Sequence, residues 1–199
     1  MKNSSKRQSP TNDNIVTPHW LCTHIAHSLV PKAFRSSQPY QILDPCAGDN
    51  RMGLAILNHV ESHGINAVLT SHDILTGQNF LFTTPSQEYD IIVMNPPFSN
   101  LGAWHFIKRA VSVFLSPTGI CISIIPHYII DNCDSRKQWL ADHLFRLDIL
   151  PSATFAPEAP KIEASIGYFS TIENLTRFPL PKCALYFITH VPLDELTLP

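Results

Sequence analysis

The chain has 199 residues, 44% hydrophobic and 15% charged, with a mean hydropathy of +0.02. That length suits one domain with a substantial core, and the composition excludes a disordered chain. The net charge is -2, from 14 basic and 16 acidic residues with His neutral, so the basic excess by which most free-standing nucleic-acid binders meet phosphate is missing.

Any nucleic-acid contact is therefore expected to rest on local basic groups or on a partner. Five Cys occur without a CxxC pair, which fits a reduced, cytoplasmic protein better than a disulfide framework. No run approaches the roughly 18 apolar residues of a membrane span, and the polar start lacks a secretory signal.

Residues 1–12 (MKNSSKRQSPTN) read as a disordered tail, and 13–199 as one domain. Lys2, Lys6 and Arg7 are the basic groups of that tail. Thr17-Pro18 has the form of an N-cap followed by proline at the first helical position. It predicts a helix to about Leu29, with Trp20, Ile25 and Leu29 at broadly helical spacing. Residues 41–43 are a short buried strand closed by Asp44-Pro45. A loop of Cys46, Ala47, Gly48, Asp49 and Asn50 follows. Met52, Leu54, Ile56 and Leu57 then trace a helix to about His63, stopped by Gly64.

Residues 66–71 (NAVLTS) are a second strand ending at His72-Asp73, and 79–82 a short third element. Residues 89–94 (YDIIVM) are a strongly apolar strand closed by Asn95-Pro96-Pro97-Phe98. A helix over 102–115, a turn at 116–119 and a strand at 120–125 come next. Residues 136–144 read as helix, and 147–150, 166–172 and 184–190 as late strands. The strand–helix alternation up to about residue 125 implies an α/β fold with a mostly parallel sheet and helices on both faces. The late strands suggest an antiparallel edge.

Two loops carry the chemistry, and each follows an apolar strand. Ligands of open parallel sheets bind outside the carboxyl ends of the strands, so both loops point at one crevice. In the first, Gly48 has no Cβ and lets the backbone approach a ligand. The helix it opens presents free N–H groups suited to a carboxylate or a phosphate. An ordinary strand-to-helix turn is the simpler alternative for this loop alone. The G-x-G-x-x-G fingerprint is absent, which argues against a nicotinamide cofactor.

The second loop is more specific. Consecutive prolines fix φ, remove two N–H donors and push Asn95 toward extended geometry. Asn95 then offers a side-chain oxygen as acceptor, and the Pro96 carbonyl is a second. Two preset acceptors can take both hydrogens of an –NH2 group and orient its lone pair. Phe98 supplies a flat face for stacking.

Asp44-Pro45-Cys46-Ala47-Gly48 resembles the S-adenosylmethionine (SAM) loop of amino-methyltransferases. Asn95-Pro96-Pro97-Phe98 resembles their catalytic [DNS]-P-P-[YFW] motif. The order of the two resembles N6-adenine DNA methyltransferases of the short bacterial or phage type, over roughly residues 14–172. The resemblance implies a Rossmann-like class I SAM methyltransferase fold, SAM as cofactor and DNA as substrate. It also implies roles for further residues. Thr17 and Pro18 would pack beside the methionine part of SAM, and Asp73 would meet its ribose. Asn79 and Phe80 would meet its adenine, with Asn79 where the family often has Asp. Phe155 resembles the aromatic that packs on a flipped base; a core aromatic is the alternative. Asn50 stands where Gly is usual, and Asn tolerates left-handed geometry.

RNA adenine and protein glutamine methyltransferases use the same kind of loop. The protein-modifying relatives usually carry a helical domain ahead of the SAM loop, and only 43 residues precede Asp44 here. A non-catalytic subunit serving a partner is a third possibility, motivated by the acidic charge and by the lack of a recognisable target-recognition segment. No metal site is expected: of Cys22, His24 and His27, only the two His share a helix face. Lys108-Arg109 and Arg136-Lys137 read as solvated helix faces.

Overall fold

The computed structural model describes residues 15–29, 38–131, 134–156, 162–177 and 184–187. The expected tail at 1–12, and all of the C-terminal segment 179–199 except 184–187, lie outside them. The elements in chain order are α1 (His19–Ser28), β1 (Tyr40–Asp44), α2 (Arg51–Ser62), β2 (Ala67–Ser71), β3 (Tyr89–Met94), α3 (Gly102–Arg109), β4 (Leu115–Pro126), α4 (Tyr128–Asp131), α5 (Asp134–His143), β5 (Leu144–Ile149), β6 (Ala164–Phe169), α6 (Ile172–Arg177) and β7 (Ala184–Phe187).

The strands form one sheet in the order β2-β1-β3-β4-β6-β5-β7. The pairs β1–β2, β1–β3 and β3–β4 are parallel, and β6 runs antiparallel to both β4 and β5. The expected α/β architecture with a mostly parallel sheet is therefore present, and the antiparallel pairing falls among the late strands as expected.

Strand alternation divides the core between the two faces of the sheet. Ile42, Ile91, Val93, Ile122 and Ile124 pack with Leu21 and Ile25 of α1 and Met52 and Ile56 of α2. Leu43, Ile92, Met94, Cys121 and Ile125 pack on the other face with Phe106 and Ile107 of α3 and Leu140 of α5. Continuous apolar runs such as IIVM are what a strand covered on both faces requires.

Three expectations change. The short element expected at 79–82 is a turn. Asn79 Oδ1 accepts the Leu81 N–H at 3.1 Å, and the Asn79 carbonyl takes the Phe82 and Thr83 N–H groups. Phe80 is drawn inward against Phe106 and Phe114, at centroid distances of 5.3 and 4.7 Å. Residues 116–119 do not separate helix from strand. They bulge within β4, since Leu115 faces Tyr89 while Ile120 already faces Ile91. Arg109 is not simply solvated: its Nε donates to the Phe80 carbonyl at 3.0 Å and its Nη2 to that of Thr83. It braces the 79–83 turn against α3.

Candidate active site

The chain leaves β1 for α2 and β2 on one side of the sheet, and β3 lies on the other side of β1. The carboxyl ends of β1 and β3 are thus a topological switch point, where a crevice opens. Leu43 faces Ile92 across the parallel pair, so the loops after Asp44 and Met94 lie side by side. The Cys46 thiol belongs to the first of these loops. Burial holds that thiol well above its ordinary range, which disfavours the nucleophilic thiolate.

The first loop is cross-linked to the end of β2. The His72 N–H donates to the Asp44 carbonyl at 2.8 Å, and the Ala47 N–H donates to the His72 carbonyl at 3.0 Å. The Gly48 N–H donates to Asp73 Oδ2 at 2.8 Å, while Asp73 Oδ1 accepts from the Leu75 N–H at 2.7 Å. Gly48 and Asn50 both lie in the left-handed region, at φ 53° and 66°. Asn50 thus takes the conformation for which Gly is usual, directly before α2. Thr17 and Pro18 depart from their expected capping arrangement. Pro18 is the N-cap, its carbonyl accepts from Leu21 and Cys22, and the Thr17 hydroxyl makes no cap bond.

Asp44 lies beneath this loop and is 2% exposed. Its Oδ1 accepts from the Cys46 N–H at 3.3 Å and its Oδ2 from the Gly53 N–H at 3.2 Å. Burial outweighs those two donors and pushes its carboxyl up from 3.8 to about 7. Between those values the folded protein holds a proton that the unfolded chain releases. The stability due to this proton is fully present below 3.8 and is lost as pH rises through about 7. Urea melts at about pH 5 and about pH 8 should show the loss, and Asp44→Asn should flatten that difference.

In the second loop, the Asn95 side-chain –NH2 donates to the Ile15 carbonyl at 2.8 Å and to Thr17 Oγ1 at 3.0 Å. No described residue donates to Asn95 Oδ1. Beyond Phe98 the chain turns sharply, with Asn100 and Leu101 at φ 50° and 60°. Such values in non-glycine residues mark stored strain and cluster at functional sites. Gly102 closes the turn: a Cβ there would lie 2.4 Å from the Pro97 carbonyl oxygen.

The two aromatics expected to face a substrate are covered. Phe98 is 5% and Phe155 1% exposed, and both belong to the cluster on the α1–α2 face of the sheet. The Tyr128 hydroxyl donates to the Phe98 carbonyl. Tyr128 went unremarked in the sequence; its place just past the carboxyl end of β4 was the signal that could have flagged it. Arg51 was also missed. Its Nη1 donates to the Thr17 carbonyl at 3.1 Å and its Nε to Asp49 Oδ2 at 2.7 Å. Asn79 uses its Oδ1 within its own turn, and Phe80 is buried in the core.

The donor set fits a cofactor with a polar amino-acid end and a ribose. Buried polar side-chain atoms are normally paired, yet Asn50 Oδ1 and His72 Nδ1 are buried without a partner. Both lie on the cross-linked loops after β1 and β2. Among the described residues no group of three or more His, Cys, Asp or Glu is arranged to hold a metal ion. No helix among them is long and apolar enough to cross a membrane.

This topology, with paired loops at the β1/β3 switch, is the fold of the class I SAM-dependent methyltransferases. A Listeria monocytogenes protein assigned to that class superposes with a TM-score of 0.73 at 14% identity, covering 96% of this chain and 71% of its own. The methyltransferase subunit of a type I restriction-modification system from Streptococcus thermophilus superposes at 0.55 with 16% identity, and the EcoKI M protein at 0.57 with 15%. Each covers 78% of this chain, which spans only 44% of either protein. No family model and no curated protein matches the sequence.

Proposed function

We propose that the protein is a SAM-dependent methyltransferase acting on the exocyclic N6 amine of adenine in DNA. The observation that carries this reading is the Asn95-Pro96-Pro97-Phe98 loop, set beside the Asp44–Gly48 loop with the Asn95 amide fixed by its nitrogen end. When bound, SAM supplies a methyl group made electrophilic by its sulfonium. Asp44, Pro45, Cys46, Ala47 and Gly48 would form the floor of its site, Asp73 would meet the ribose, and Asn79 would border the adenine with Phe80 packed behind it in the core. Thr17 and Pro18 line the methionine end. Asp73 has both oxygens engaged, but a carboxylate has about four lone-pair sites and keeps room for hydroxyl donors.

Asn95 Oδ1 and the Pro96 carbonyl accept the two amine hydrogens. The lone pair, otherwise delocalised into the purine ring, is thereby localised as positive charge develops on nitrogen. A bound SAM would supply the methyl carbon to that nitrogen, the carbon–sulfur bonding pair staying with sulfur. The methylated nitrogen then sheds one proton to water. Pro97 keeps the loop stiff. In duplex DNA the base must leave the stack, and Phe98 and Phe155 must turn from their buried positions to hold it. The net charge of -2 supports a partner that supplies target recognition, as does the naming of one neighbour as the methyltransferase subunit of a type I restriction-modification system.

Asp73→Ala should weaken SAM binding about tenfold or more, since it removes both a ribose acceptor and the bond that holds Gly48. Unchanged affinity by calorimetry would count against the ribose assignment. The substrate is tested with labelled SAM offered with duplex DNA, single-stranded DNA, RNA and protein extract. Label in DNA adenine supports the proposal, whereas label only in RNA or protein replaces the substrate.

A further inference from the structure

The usefulness of Asn95 depends on which end of its amide faces the substrate. The oxygen accepts from an amine; the nitrogen offers only N–H donors, which an amine hydrogen cannot use. The orientation here is set by chemistry. The end of the amide 2.8 Å from Ile15 meets a main-chain carbonyl, which can only accept, so that end must be the –NH2. The same nitrogen lies 3.0 Å from Thr17 Oγ1. With both hydrogens committed to residues 15–17, Oδ1 is left for the substrate.

The segment that holds the amide is itself held. Thr17 is 6% exposed. Its carbonyl accepts from Arg51 Nη1, and Asp49 secures Arg51 through both the guanidinium and the main-chain N–H. A chain of hydrogen bonds thus runs from the cofactor loop, at Asp49, through Arg51 and Thr17 to Asn95. We infer that Thr17 is a positioning residue whose hydroxyl, backed by the Arg51–Asp49 pair, keeps the Asn95 amide oxygen turned toward the substrate amine. This goes beyond packing beside the cofactor, and it rests on the proposed amine methylation.

Two measurements test it. In NMR of the substrate-free protein, the Asn95 side-chain amide is identified by its loss in Asn95→Ala. Both of its protons should exchange slowly with water in the wild type, and one should exchange at least about tenfold faster in Thr17→Val. In methylation of duplex DNA, Thr17→Val should lower kcat about tenfold with KM for SAM little changed, and Thr17→Ser, which keeps the hydroxyl, should recover most of the rate. If Thr17→Val does not fold, Thr17→Ala, which removes the hydroxyl together with the methyl, carries the same expectation for kcat and for amide exchange. Unaltered amide exchange, or a loss confined to KM for SAM, overturns the inference. A wild type that methylates no adenine yet shows the two protected protons overturns the functional reading, not the amide geometry.

Discussion

Asn95→Ala is expected to lower methyl transfer by at least about 100-fold, the scale found when one preset hydrogen-bonding group is removed from a charged transition state. SAM affinity should change little, because the bonds that shape the cofactor loop run between Asp44, Ala47, Gly48, His72 and Asp73. The substitution also leaves the Ile15 carbonyl and the buried Thr17 hydroxyl without that donor, and a buried group left unpaired costs stability. A modest fall in thermal stability should therefore accompany the large fall in rate. Calorimetric titration with SAM and initial rates on the same preparation separate the two effects. Near-wild-type rates would remove Asn95 from the mechanism.

Gly102→Ala should have the largest structural effect of any single methyl added near the loop. The new Cβ would lie 2.4 Å from the Pro97 oxygen and 3.2 Å from Pro97 Cγ. The obstacle is a backbone carbonyl next to two prolines whose rings fix φ, less free to move aside than the end of a flexible side chain. Overpacking of this kind costs about 1–3 kcal/mol, or roughly 4–8 °C in Tm for about 2 kcal/mol at this chain length. The displaced Pro97 should also carry the Pro96 carbonyl out of line, so kcat should fall even where the variant folds. A variant with wild-type Tm and wild-type kcat would show that the 95–102 turn relaxes at no cost.

Most of the architecture was legible because strand and helix periods are local. IIVM read as a buried strand, and its residues Ile91 and Ile92 divide between the two core clusters. The two loops were legible for the same reason: each is a contiguous run with unusual backbone chemistry. What the sequence could not give was partners distant along the chain. The bond from Asn95 to Thr17 spans 78 positions, so the hydroxyl that looked like a helix cap turned out to serve the other loop. Arg109 reaches 29 positions to Phe80, and nothing in the dipeptide Lys108-Arg109 distinguishes a brace from a solvated cation.

The aromatics show the same limit from the side of burial. Phe98 follows a catalytic-type motif and Phe155 precedes a strand, yet whether either ring is open depends on α1, β4 and β6 packing around it. Both rings are closed off in this structure. The 79–82 segment is a turn because Asn79 bonds back within it, which is the tendency that makes Asn a turn residue.

The most direct test of the central claim is digestion of duplex DNA to nucleosides after incubation with the purified protein and labelled SAM, followed by mass spectrometry. Label in N6-methyldeoxyadenosine with the wild type, and its disappearance with Asn95→Ala, is the predicted result. SAM bound but no labelled adenine, in DNA alone or with the other substrates added, would contradict it.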